Sequence, residues 1–504
     1  MAAGLVELAD ADPQRFALAD AERRYTRAEL NDRVNRFIHV LHRRGIGPGD
    51  VVAIYAGNSA DMVVALLASS LAGVSHVAVN WHLVAAEVEY LLASSGTSLV
   101  ITDEAHASLA RQVACAVGVA EVLVLGPDAD ADLASASNAE PAPCPVASAI
   151  YYTSGTTGRP KATRMAEMRD GITAQAQAEQ FRASGMRESD VQLVVGPLYH
   201  GGPLMQAVRT AVTGGQVHVM PRFDAEDLLR LVERYRVNRL TMTPTHFVRL
   251  LRLPAEVRAR YDVSSLTDVL HIGAMMPSEI KAEMIDWWGP VLVDAYGCSE
   301  LGTITRISSQ EWLTKPGSVG RPMPWFTIQI VDEETDCELP TGSIGTIYLT
   351  ALNDADIVYL GDPERTAEAH RSPRQFTLRD LGWLDDDGYL YLADRRVDLI
   401  VSGGVNIYPA EVEAALLGHP AVEDVGVFAV PDPEWGHAVR AAVQLGPGNE
   451  PDATTTESIL RVAHATLAGF KVPREIEYHA RLPRSAAGKL LRRELRAAHW
   501  KETA

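Results

Sequence analysis

Between Leu30 and Thr102 the chain switches back and forth between two periodicities, and this constrains its fold more than any other feature. "TRAELNDRVNRFIHVLHRRGIGPGD" carries apolar residues at helical spacing and closes on glycines and a proline. "VVAIYAG" then reads as a strand, "SADMVVALLASSLAG" as a helix, "VSHVAVN" as a strand, "AAEVEYLLASSG" as a helix and "SLVITDE" as a strand. Parallel strands need long crossovers, so this alternation predicts a parallel sheet covered by helices, an α/β fold. The rhythm returns from Asp190 to Gly273 through "VQLVVG", "GGQVHVM", "AEDLLRLVERYRV", "RLTMTP" and "DVLHIGA". Between the two runs, "GPDADADLASASNAEPAPCP" is acidic and small and contains prolines, which reads as a solvated connector. Beyond Gly317 short β-like segments, "FTIQIVD" and "GTIYLTA", give way to a small α+β module that begins near "RRVDLIVSGGVNIYPAEVE". The expected organisation is therefore a large domain over 1–394, with helix-covered sheets and a β-rich subdomain, and a small α+β domain over 395–504.

A chain of 504 residues is too long for one ordinary core, which agrees with two domains. No apolar run reaches the twenty or so residues that span a bilayer, and no basic-then-apolar leader opens the chain. A cytoplasmic protein without a membrane span is the expectation. Cys115, Cys144, Cys298 and Cys337 lack the close pairing of zinc or redox motifs and are expected to be buried thiols. A formal charge of -19 opposes nucleic acid and anionic lipid, so any phosphate site has to be local.

One local candidate is "YYTSGTTGRPKAT", Tyr151 to Thr163, directly after the apolar "VASAI". Glycines let backbone N–H groups approach an anion, hydroxyls on Thr153, Ser154, Thr156 and Thr157 add donors, and Lys161 adds charge. A Walker A loop is absent, because Gly158 is followed by Arg159 and Pro160 before Lys161. A phosphate nest and a flexible surface turn both fit these residues taken alone.

Taken with four later segments, the loop resembles the adenylate-forming superfamily of acyl-CoA synthetases, nonribosomal peptide synthetase adenylation domains and luciferases. The segments are "YYTSGTTGRPK", "DAYGCSE", "FTLRDLGWLDDDGYLYLADRRVD", "VSGGVNIYPAEVE" and "FKVPREIEYHARLPRSAAGKLLRREL", in family order over almost the whole chain. The resemblance is closest to acyl-CoA synthetases. It implies a soluble ligase that binds ATP and Mg2+, turns a carboxylic acid into an acyl-adenylate with release of pyrophosphate, and passes the acyl group to coenzyme A. A carrier protein, an amine or another small nucleophile is the alternative acceptor, and a nucleotide-binding regulator with little turnover is the rival of another class. A homodimer is among the oligomeric states left open.

The resemblance also implies roles. Thr153, Ser154, Gly155, Thr156, Thr157, Gly158 and Lys161 would hold the β- and γ-phosphates; Gly273 and Ala274 would pass beside adenine. Tyr296, followed by Gly297, would lie against adenine, Glu300 would position magnesium, and Asp380 would accept from both ribose hydroxyls. Arg395, closing the large domain, would reach ribose or phosphate, and Val397 occupies the hinge. Lys489 would be the adenylation lysine. Rotation of a mobile C-terminal domain would replace it with Ser402, Gly403 and Gly404 beside the pantetheine channel. His200 of "PLYHGGPL" would gate or contact the acid, with Gly201 and Gly202 leaving space and Thr245, His246 and Phe247 near the pocket wall. No Asp-plus-Lys signature for a free amino acid stands out, which favours an apolar, aromatic or ring-bearing acid. Three positions depart from the family pattern: Ala162 and Arg379 stand where glycine is usual, and Val397 where a polar hinge residue is common.

Overall fold

The computed structural model describes residues 3–154, 160–164, 172–273, 276, 278–332, 335–353, 355–394, 400–483, 490 and 492–499. The first alternating run builds a four-stranded parallel sheet in the order Ser75–Ala78, Val51–Tyr55, Thr97–Asp103 and Glu121–Leu125. Its crossovers include the helices Ala60–Leu71, Ala85–Ser95 and Ala107–Val117. The first of these is apolar on nearly every side, as a fully enclosed helix has to be, and every residue from Ala60 to Ser70 is buried. It shares one core with Val52 and Ile101 of this sheet and with Leu18, Val194 and Val217 of a second.

That second sheet has nine strands, in the order Arg321–Pro322, Gly302–Ser308, Leu292–Cys298, Asp268–His271, Arg239–Met242, Val191–Val194, Gln216–Val219, Phe16–Ala19 and Arg24–Thr26. The six central strands run parallel and the edges are antiparallel. A third, antiparallel sheet is the expected β-rich subdomain: Phe326–Val331, Gly345–Ala351, Gln375–Leu384 and His370–Ser372, with Leu390–Asp394 paired to Gln375–Leu384. From Ile400 onward the chain forms the hairpin Ile400–Ser402/Val405–Ile407 and a sheet of Val422–Asp432, Gly436–Leu445 and Glu475–Tyr478. Helices Pro409–Leu417 and Ala453–Thr466 pack with this sheet around their own apolar core, including Val412, Leu416, Val427, Val443 and Ile459.

Two expectations are overturned. The supposed connector folds into the helix Pro127–Ser135, which buries Ala129 and Leu133. Pro127 opens it and Asp128 and Asp130 occupy its first turn, where fixed φ and negative charge both suit a helix start. Its acids then find arginines about a hundred residues upstream: Asp130 meets Arg23 and Arg33 at 2.6 Å each, and Asp132 meets Arg43 at 2.6 Å and Arg44 at 2.7 Å. The cysteines are not uniformly buried. Cys115 and Cys337 are exposed and Cys144 and Cys298 partly so. Cys115 lies on the helix Ala107–Val117, whose buried positions are Ala107, Ala110, Val113 and Ala114, so the thiol falls on the solvent face. Among the described residues, no helix is long and apolar enough to cross a membrane.

Candidate active site

The strand Leu292–Cys298 and the strand Gln375–Leu384 each deliver one expected residue to a common point. Tyr296 is 5% exposed, and its hydroxyl donates to Asp380 Oδ2 at 2.6 Å. The tyrosine is thus fixed by its polar tip while its ring packs with Leu301, Ile304 and Phe376. Gly297 follows at a register shift, where a Cβ would lie 2.1 Å from the Gly302 carbonyl oxygen; only glycine fits. Ahead of Asp380, Arg379 adopts φ +61°, and its N–H donates to Thr377 Oγ1 at 2.8 Å. The departure at residue 379 therefore leaves a left-handed backbone in place, at a cost of about 1–2 kcal/mol for a residue with a Cβ.

Glu300, 6% exposed, accepts from the Tyr359 hydroxyl at 3.2 Å. Tyr359 belongs to a segment stitched to the strand Pro160–Arg164: Leu360 N–H donates to the Ala162 carbonyl at 2.8 Å, and Thr163 Oγ1 donates to the Val358 carbonyl at 3.0 Å. Ala162 packs its small side chain with Ile150 and Tyr152. Lys161 forms an ion pair with Asp362, which was not expected; a charge assigned to phosphate has an internal partner. This pairing holds the Asp362 carboxyl below its usual range, with the Arg365 N–H adding to it. Tyr359 and Asp362 went unrecognised in "DIVYLGDPE" because neither stands in a segment with a chemical pattern of its own.

Thr153 and Ser154 lie on the strand Ile150–Ser154, antiparallel to Pro160–Arg164, so the two arms of the loop are paired in register. Gly155, Thr156, Thr157, Gly158, Ala274, Arg395, Val397 and Lys489 lie outside the described residues.

The hairpin turn after Ser402 faces the large domain. Gly403 and Gly404 have φ of +58° and +83°, and a Cβ on Gly404 would meet Thr243 Cγ2 at 2.8 Å. A Cβ on Gly273 would in turn lie 3.8 Å from the Gly404 carbonyl oxygen. Alongside lies a cavity of about 730 Å³ bounded by Tyr90, Tyr152, His200, Gly201 and Ser299 on one side and Gly404, Asn406 and Phe470 on the other. His200 stacks edge-on to Tyr199 with centroids 4.5 Å apart, and burial, aided by His82, pushes its pKa down to about 4. It is a neutral ring at physiological pH, able to pack or hydrogen-bond but not to supply charge. The two following glycines leave little room to spare: a Cβ would sit 3.0 Å from Tyr151 Cε1 at Gly201, and at Gly202 it would lie 2.1 Å from Ile272 Cδ1, the movable tip of that side chain.

The segment expected at the pocket wall behaves differently. Phe247 is wholly buried in the core beside Leu250, Met284 and Trp288, because the helix Pro244–Leu251 turns that face inward. His246 Nδ1 accepts from the Thr243 N–H at 3.1 Å, so it caps the helix start; burial pushes its pKa down to about 4.

Comparison with known proteins gives a consistent picture. The family described as AMP-binding enzyme matches residues 5–352, and the AMP-binding enzyme C-terminal domain matches residues 411–489. The chain is 33% identical to feruloyl-CoA synthase from Amycolatopsis sp over 97% of both proteins. It is 29% identical to o-succinylbenzoate CoA synthetase from Bacillus subtilis, covering 98% of this chain and 97% of the other. The TM-score is 0.83 to a double mutant of that enzyme bound to its product analogue OSB-NCoA. The score falls to 0.66 for the same enzyme with its acyl-adenylate intermediate, at unchanged identity and coverage. An amide bond synthetase from Marinactinospora thermotolerans is 28% identical over 98% of this chain and 99% of its own, with a TM-score of 0.81.

Proposed function

Because the chain belongs to the AMP-binding enzyme family through both its parts, we propose that it is an AMP-forming ligase joining a ring-bearing carboxylic acid to coenzyme A at the expense of ATP. In the first step the acid's carboxylate oxygen attacks the α-phosphorus of ATP and pyrophosphate departs. In the second the thiol sulfur attacks the acyl carbon, losing its proton, and AMP departs. The carrying observation is the pairing of Tyr296 with Asp380 and of Tyr359 with Glu300 by direct hydrogen bonds, the two tyrosines belonging to one buried cluster. The 33% identity to feruloyl-CoA synthase over nearly the full length supports the choice of an aryl acid and of CoA.

In this reading Tyr296 covers adenine and Asp380 receives the ribose hydroxyls, with its second role as acceptor for Tyr296 fixing its orientation. Among the described residues no group of three or more His, Cys, Asp or Glu could hold a metal alone. Magnesium suits a single carboxylate because substrate phosphates and water complete its oxygen shell, and Glu300 supplies that carboxylate. Bound there, the ion would offset charge on the phosphates as pyrophosphate leaves. The glycine-rich loop and Lys161 would hold the β- and γ-phosphates, with Lys161 exchanging Asp362 for phosphate oxygen.

The domains are taken as 1–394 and 395–504, the second mobile and carrying Lys489. The higher similarity to the product-analogue complex than to the adenylate complex of one enzyme supports an arrangement suited to acyl transfer. Gly404 and Asn406 would then border the pantetheine arm and His200 would line its inner end. A cytoplasmic location belongs to the same reading.

Pyrophosphate release measured over a panel of cinnamic, benzoic and fatty acids, with and without CoA, tests the assignment. An aryl acid giving both pyrophosphate and a thioester is the expected result; pyrophosphate without thioester would overturn the acceptor. The amide bond synthetase similarity makes an amine the second acceptor in that assay. Tyr359→Phe deletes one hydrogen bond that orients Glu300 and is expected to weaken magnesium binding during adenylation by about 1 kcal/mol. A titration of ATP–pyrophosphate exchange against Mg2+ reads this as a several-fold higher requirement.

A further inference from the structure

Lys471 closes a short 3-10 turn, Gly469–Lys471, and is 6% exposed, far more enclosed than an ordinary lysine. Its ammonium donates to Glu87 Oε1 at 2.5 Å and to Glu411 Oε1 at 2.8 Å. The two glutamate side chains are only 11% and 13% exposed. Glu87 sits on the large-domain helix Ala85–Ser95 and is held at its other oxygen by the Val84 N–H at 3.0 Å. Glu411 sits in the first turn of the small-domain helix Pro409–Leu417. All three groups lie in the wall of the cavity between Tyr90 and Phe470.

We propose that Lys471 is a positioning residue for acyl transfer, an ionic latch that holds the small domain across the acceptor passage by bridging Glu87 and Glu411. The asymmetry of the cluster carries the inference. Lys471 and Glu411 travel together on the small domain, whereas Glu87 belongs to the large one. When the small domain moves, Glu87 returns to water and the other pair stays intact. Removing the ammonium leaves two carboxylates buried face to face, and only while the passage is assembled. Burial already pushes the Glu411 carboxyl up against the pull of Lys471, so an unbridged pair is poorly tolerated there. The latch rests on the two-step reading above and names the contact that stabilises its second arrangement.

The test separates the half-reactions in the full chain: ATP–pyrophosphate exchange for the first, single-turnover transfer of preformed adenylate to CoA for the second. Lys471→Met and Glu87→Lys are each expected to lower transfer about tenfold or more while exchange stays within about twofold. The double variant Glu87→Lys with Lys471→Glu restores an opposite-charge pair between positions 87 and 471 across the two domains, while placing a second carboxylate beside Glu411, and is expected to recover part of the lost transfer. Small-angle scattering reads the same contact without turnover, the single variants giving a larger maximum dimension and the double variant restoring it. Glu87→Lys also removes the acceptor for the Val84 N–H, so thermal melting is followed in parallel. Equal damage to both half-reactions, unaltered transfer in the single variants, or no recovery in the double variant would overturn the latch. An unaltered protein that activates no acid would count against the functional reading, while an unchanged scattering profile in Lys471→Met would still refute the latch by itself.

Discussion

Lys489→Ala is expected to lower ATP–pyrophosphate exchange about a thousandfold while leaving the consumption of preformed adenylate much less affected. A cation about 4 Å from negative charge gathering on the α-phosphate is worth roughly 4 kcal/mol at an effective dielectric of about 20, and each 1.36 kcal/mol is a factor of ten in rate. The lysine stands in "RSAAGKLLRREL", on the part of the chain matched by the C-terminal domain family. The Gly403–Gly404 turn, a few residues ahead of that part, lies against Thr243. Separate assays of the two half-reactions decide the matter, and equal losses in both would contradict a small domain that serves them in turn.

Glu300→Gln is expected to cost adenylation on the order of a hundredfold, with a raised magnesium requirement, since metal-borne charge stabilisation amounts to several kcal/mol. The substitution keeps the shape and the acceptor for Tyr359 while removing the charge, so the fold should hold. A thermal melt within a few degrees of the unaltered protein, together with lost exchange, would separate chemistry from stability. Full exchange at low magnesium would remove Glu300 from the site.

Where sequence reading worked, the information was local. The helices Ala60–Leu71 and Ala85–Ser95 and the strands beside them follow from periodicity and from their own ends, Ser59 accepting from the Met62 N–H in one case. Tyr296 and Asp380, each singled out separately by the family pattern, prove to be hydrogen-bonded to one another although 84 residues separate them, a contact that the pattern did not announce. Where it failed, the deciding partner was distant. An acidic stretch became the helix Pro127–Ser135 because Arg23, Arg33, Arg43 and Arg44 fold over it. Phe247 turned inward because Met284 and Trp288 receive it. Lys471 and Glu87 are 384 positions apart and each looks ordinary alone; Glu87 reads simply as a capping glutamate of its helix.

The left-handed backbone at Arg379 carries a consequence for redesign. The Arg379 N–H donates to Thr377 Oγ1 at 2.8 Å, a backbone bond that any residue except proline at this position can make, so the bend ahead of Asp380 does not call for an arginine side chain. Position 379 is thus a place where glycine or asparagine, which accept a left-handed backbone more readily, would relax the chain, giving an engineer a stabilising substitution one peptide bond from the Tyr296–Asp380 pair.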